Sequence, residues 1–243
     1  GRDLLYTRLK TGNFGPSNLK NSSGVYLNHA NSNDDTVKVD KLWYQFPVGE
    51  NFTVWAGPRI ENYYMLASAP SIYKPVTKQF ALGGNGAVYG SSTSPGFGLA
   101  WTQPTENRGD ARFAVSTNYA AYSGDSPSPT TSKGDVVSSG GILTDTPSKW
   151  LSKVEYGSSK WQVSAAMALN NCESPASAAN CQDWQSYYTT AAAEDLTGDQ
   201  TAYALKGYWR PDSSGIVPSI QLGYEFSNVD TSTNGATKET SSY

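Results

Sequence analysis

Between Val37 and Arg59 the chain reads VKVDKLWYQFPVGENFTVWAGPR, and its side chains alternate in character with a period of two. Leu42, Tyr44 and Phe46 fall on one face of the run and Lys41, Trp43 and Gln45 on the other, until PVGEN interrupts it before Phe52, Val54 and Ala56. Successive side chains of a strand point to opposite faces, so this stretch predicts a β-hairpin. The composition of its two faces narrows the choice further. The apolar face holds aromatic rings beside the turn, while the other carries Lys41, Gln45, Thr53 and Arg59, which an ordinary soluble core would not welcome. A sheet with a polar interior and an apolar exterior accommodates both.

The rest of the chain repeats the pattern. Leu5, Thr7 and Leu9 alternate with Tyr6, Arg8 and Lys10; a short run at Val25 to Asn28 and the polar connection NSNDD then lead into the hairpin. Further on, Phe97, Leu99 and Trp101 alternate with Gly98, Ala100 and Thr102, and across PTENRGD the series Phe113, Val115, Thr117, Tyr119 opposes Arg112, Ala114, Ser116, Asn118. The same holds for Val154 and Tyr156 against Lys153 and Glu155, for Trp161 to Leu169 across GSSK, and for the pair of runs around PDSSGIV that carries Lys206, Arg210 and Glu225. Short turns alternate with long polar loops, and aromatic residues flank most short turns on the apolar face: Phe46 and Phe52, Trp101 and Phe113, Tyr156 and Trp161, then Trp209. This rhythm is the signature of a transmembrane antiparallel β-barrel with an interfacial girdle of rings. The all-β fold class follows. Leu42, Tyr44, Phe46, Val54, Val115, Val163, Met167, Leu205 and Leu222 are expected to face lipid. Lys41, Arg59, Glu61, Arg112, Lys153, Glu155, Lys206, Arg210 and Glu225 are expected to line a pore, where fixed charge filters ions.

The 243 residues suffice for one large all-β domain or two small ones, and a charged fraction of 16% is low beside the roughly 25% of soluble domains. A net charge of -3 provides no basic surface for neutralising phosphates, which argues against nucleic acid as a partner. No run reaches the roughly 18 apolar residues of a spanning helix, a test that does not bear on barrels. Two cysteines, Cys172 and Cys181, close the loop-like stretch CESPASAANC and are expected to form a local disulfide in an oxidising compartment. Zinc is disfavoured, since the sole histidine, His29, is distant in sequence.

Signatures of catalysis are missing. There is no HExxH, CxxC or Walker loop, GGNGAVYG at 83–90 departs from the GxGxxG spacing and reads as a flexible loop, and His29 has no neighbouring partner. Glu61, Glu155 and Glu225 are the acids a glycosidase pair would draw on, but the sequence does not give their separation. The chain reads as a non-enzyme with no cofactor. The segment from Ile60 to Pro95 is too long and too poorly periodic for an ordinary connection, and is expected to be a functional loop that folds into the lumen or packs on the rim.

The blocks GRDLLYTRLKTGNF, VDKLWYQFPVGENFTVWAGPRIENYYMLA and PSIY resemble those of cyanobacterial outer-membrane porins of the Som type, related to the OprB-like carbohydrate porins. The similarity is closest from Gly1 to Tyr73; beyond that, only the rhythm of strands and turns carries it. It implies an outer-membrane homotrimer of water-filled barrels for ions and small hydrophilic solutes, carbohydrates or iron among them. It also implies a signal peptide, a peptidoglycan-anchoring SLH domain with a helical stalk, and further strands. The chain opens inside a strand-like run and ends in the polar DTSTNGATKETSSY, so residues 1–243 are expected to be a mature or truncated piece. About ten strands against the roughly 16 to 18 of an aqueous porin mark it as part of a larger, roughly 16-stranded barrel. The alternative is a secreted β-sandwich acting as a carbohydrate-binding module, whose exposed Trp and Tyr would hold sugar.

Overall fold

In the computed structural model the alternating runs become strands of a single sheet. The structure describes residues 3–14, 31–73, 82–83, 86–90, 93–107, 109–121, 124, 141–143, 148–171, 199–212, 216–230 and 237–242. The strands are β1 (Leu4–Phe14), β2 (Asn31–Val48), β3 (Phe52–Ile60), β4 (Ser94–Thr102), β5 (Arg112–Ala121), β6 (Ser148–Gly157), β7 (Trp161–Asn171), β8 (Gln200–Trp209), β9 (Ile220–Asp230) and β10 (Thr237–Ser242). Each pairs antiparallel with its neighbours in sequence, so the sheet runs in chain order with β1 and β10 as its edges. Among the described residues helix is limited to a 3-10 turn at Asn62–Tyr64 and one α-helical turn, α1, at Gly86–Tyr89. Among the described residues no helix is long and apolar enough to cross a membrane.

The two faces are inverted relative to a soluble sheet. On one, Val115, Val163, Leu205 and Leu222 remain 45%, 56%, 55% and 73% exposed. Leu42, Tyr44, Phe46, Val54 and Met167 share this face through the pairings of Leu42 with Thr7, Tyr44 with Leu5, Phe46 with Val54, Val54 with Leu99 and Met167 with Ser152. On the other face Ala114, Ser116, Asn118, Ala166, Ala168, Ala202 and Ala204 are buried. Small side chains are needed there, because the segment between β3 and β4 lies on top of them. Gly98 marks a close approach: a Cβ at that position would stand 2.8 Å from that of Met65 in the segment.

Rings on the exposed face gather in two rows. Beside the short turns, Phe52 pairs with Trp101, Phe113 packs against Tyr156 with the rings tilted and 4.4 Å apart, Tyr156 meets Trp161 edge-on at 5.6 Å, and Trp161 pairs with Trp209. Six residues further along β5 and β6, about 20 Å of strand, Phe97, Tyr119 and Trp150 form the second row, with centroids 5.8 and 5.9 Å apart. Aliphatic residues such as Val115 and Val154, directly paired, fill the space between.

Two expectations for the first third of the chain need correction. NSNDD is not a connection: it forms the start of β2, pairing with the end of β1, and the strand accommodates it through register shifts and a left-handed Asp34 at φ 53°. Strict alternation also fails at Asp40, where Arg8 pairs with Lys41 and Leu9 with Val39, leaving Asp40 as the extra residue of a β-bulge. Val25 to Asn28 lies outside the described residues.

Candidate functional site: a segment laid across the polar face

The segment leaves the sheet at Ile60 and returns at Ser94, and these two residues pair. Lys41 of β2 holds both ends of the excursion, ion-paired with Glu61 at its start and donating to Thr93 Oγ1 at 3.0 Å near its end. Around this point Tyr6 stacks on Trp43 at 4.7 Å, Tyr64 packs against both, and the Lys41 ammonium sits 5.4 Å from the centre of the Tyr64 ring. Tyr63 donates to Glu61 Oε2 at 2.7 Å. Burial, with the Glu61 carboxylate adding to it, pushes Tyr63 well above the ordinary phenol range and Tyr64 up to about 12. Both hydroxyls therefore stay neutral at any physiological pH.

From there the segment descends diagonally. Asn62 donates to Asn118 Oδ1 of β5 and to the Lys149 carbonyl of β6 at 2.8 and 3.1 Å, and Asn118 answers with bonds to the carbonyls of Asn62 and Met65. The Ala67 amide donates to Ser116 Oγ at 2.8 Å. Ser68 then accepts from Lys153 at 2.8 Å and donates to Glu155 at 2.7 Å, inside the Lys153–Glu155 ion pair. Lys206 of β8 reaches the Ala69 carbonyl at 3.4 Å, and the Ile72 amide donates to Gln221 of β9 at 2.9 Å. In ten residues, Asn62 to Ile72, the chain passes from the long-loop ends of β5 and β6 to the short-turn end of β9.

On the return, α1 is gripped at both termini. Glu225 of β9 accepts the Ala87 and Val88 amides at 3.1 and 3.0 Å, and Lys149 of β6, fully buried, donates to the Ala87 carbonyl at 2.8 Å and to that of Gly90. Tyr89 is buried beside them, and burial, with Glu155 and Glu225 adding, raises its hydroxyl above the ordinary range. Glu225 and Lys41 lie seven strands apart, roughly 34 Å in a flat sheet, yet they grip positions 88 and 93 of one segment. Long side chains and a sheet curled around the segment bridge that span.

Lys41, Glu61, Lys153, Glu155, Lys206 and Glu225 are thus all buried where the segment meets the polar face. Arg112, at the start of β5, and Arg210, just past the end of β8, are exposed at the short-turn side. Arg59 must be corrected. The pairing shifts between Gly57 and Ile60, so Arg59 sits exposed opposite Leu42 on the apolar face, its Nε bonded to the Asp40 carbonyl at 3.2 Å. GGNGAVYG also differs from expectation: its second half is the buried turn α1. Glu61, Glu155 and Glu225, the acids available for a glycosidase pair, are each tied to lysine or to segment amides. His29, Cys172 and Cys181 lie outside the described residues. Sequence reasoning passed over Lys149, although it shares the phase of Lys153 four residues on, and Asp40, although adjacent charges in a strand are a cue for a bulge.

Among the described residues no group of three or more His, Cys, Asp or Glu side chains comes together to hold a metal. What the arrangement offers instead is a curved wall of buried, paired charge with its own chain laid along it. Comparison with known protein families, curated proteins and solved structures finds no match for this chain.

Proposed function

We propose that this chain forms part of the wall of an outer-membrane porin, a barrel for passive diffusion of inorganic ions and small hydrophilic solutes. One observation carries the reading: large apolar and aromatic residues such as Val115, Trp161, Leu205 and Leu222 are exposed on one face, while Lys41, Lys149, Lys153, Glu155, Lys206 and Glu225 of the other are buried under a segment of the same chain. In water such a face is a liability. Against hydrocarbon it is the expected surface, and the two rows of rings suit the two headgroup levels. Pairing of every strand with its sequence neighbour supports the same reading, since barrels of this class are built as meanders with short turns on one side.

Ten strands make up part of the roughly 16 that a water-filled porin needs, and the remaining wall closes the sheet between β1 and β10. Residues 61–73 and 86–90 of the segment then lie in the lumen as a constriction. Outer-membrane lipid, two further copies in a trimer and small solutes are the partners this reading implies, with peptidoglycan reached through a separate anchoring domain. A secreted carbohydrate-binding sandwich draws no comparable support, because the described strands form one sheet and not two facing ones.

Extraction and planar-bilayer recording test the proposal. The protein should leave its membrane only in detergent and produce stepwise conductance on reconstitution. A freely soluble monomer that never inserts would refute it.

A further inference from the structure

We infer that the polar face carries an anion-attracting track along β1 and β2, so that the pore prefers small inorganic anions such as chloride; this rests on the porin reading above. The bulge at Asp40 brings four cations into neighbouring pairs on one face: Arg8 stands opposite Lys41, and Lys10 opposite Lys38. Like charges directly opposite each other in a sheet are destabilising unless something compensates them. Lys41 has Glu61 as its partner. Of the other three, Arg8 and, at 2.8 Å, Lys10 are ion-paired with Asp40, which also lies 3.7 Å from the Lys41 ammonium, and Lys38 stands beside them. Three cations against one carboxylate leave two positive charges.

Accessibility sharpens the asymmetry. The acids Asp40, Glu61, Glu155 and Glu225 are all buried. The side chains of Arg8 and Lys10 are 39% and 37% exposed, and Lys38 is exposed. At the short-turn side the exposed cations Arg112 and Arg210 are balanced by the exposed acids Glu50, Glu106, Asp110 and Asp212, so the asymmetry is confined to β1 and β2. The exposed acids of these two strands, Asp34 and Asp35, come three to four residues before Lys38 on β2, and Asn13 bonds Asp35 at 3.1 Å. An ion moving along the middle of β1 and β2 therefore meets water-accessible positive charge at Arg8, Lys10 and Lys38, while Asp40 and Glu61 beside them are buried. Two net charges about 10 Å away enrich an anion roughly 3-fold at low salt and deplete a cation by a similar factor.

Reversal potentials across a potassium chloride gradient, recorded on reconstituted channels, read this directly. At about 10 mM salt the chloride-to-potassium permeability ratio should approach about 9, the product of the two factors, and should fall towards one as salt rises. Replacing Arg8, Lys10 and Lys38 together with Gln should bring the low-salt ratio to one or below. Lys38→Glu, which leaves the Asp40 pairs in place, should lower it on its own, and Lys160→Gln in the β6–β7 turn should leave it unchanged. Channels that prefer potassium, or a ratio indifferent to Lys38→Glu, overturn the inference while the porin reading stands. Membrane-inserted, folded protein without conductance overturns both.

Discussion

Replacing Glu225 with Gln removes a charge without changing shape, at the point where β9 holds α1. Each carboxylate oxygen accepts one backbone amide, Ala87 at 3.1 Å and Val88 at 3.0 Å. Glutamine offers one carbonyl oxygen, and its amide group points a donor at the other N–H. One charge-assisted bond is lost and a buried donor is stranded, a change worth about 1.5 to 3 kcal/mol to the local closed state. Opening of the segment should become easier by that amount, so the Ala87 and Val88 amides should exchange with deuterium about 10- to 150-fold faster. Amides in the middle of β5 and β6 should not change, because their ladder partners are untouched. Lys149→Met should act at the other end of the same turn, and the double variant should fall short of additivity, since both residues hold one element. Unchanged exchange at positions 87 and 88 in a folded Glu225→Gln protein would refute the clamp.

Leu222→Arg places a charge where the side chain is 73% exposed on the apolar face, two residues along β9 from the pairing of Ile220 with Trp209 in the short-turn ring row, and should cost about 1 to 2 kcal/mol of barrel stability in vesicles, read as loss of urea-resistant folded protein. Deleting Ala69 to Gly86 removes the segment's contacts with Lys206, Gln221 and the start of α1, and should raise single-channel conductance and weaken ion selectivity; unchanged values in an inserted protein would sink the constriction. Cys172 and Cys181 should be found linked in non-reduced peptides by mass spectrometry, and two free thiols in fresh protein would contradict the bridge.

The period-2 pattern made the strands legible because it depends only on which residues neighbour each other. Val115 or Leu222 can be placed on a face from their own neighbours, and the structure agrees. Legibility failed wherever a strand departs from strict alternation. Asp40 and Lys41 are both buried although adjacent, and Arg59 changes face through the shifted pairing after Gly57. A bulge of one residue reverses every later assignment, and nothing local in KVDKL or AGPRI announces on which side of the bulge a residue falls. The charged residues of the polar face were recognisable, but not what they do. Lys149, Lys153 and Lys206 bond to carbonyls of a segment about 60 to 140 residues away, and such pairings leave no periodic trace.

Pairing strictly in chain order has a kinetic consequence. Every strand can join by a hairpin or a single loop closure, so the sheet can grow one strand at a time at modest entropic cost. The segment cannot. Its bonds to Gln221 and Glu225 join residues 149 and 137 to 138 positions apart, and those partners arrive six strands after the segment itself. A species with strands paired and the segment still loose is therefore the expected intermediate, and docking of α1 on Glu225 reports that β9 is in place.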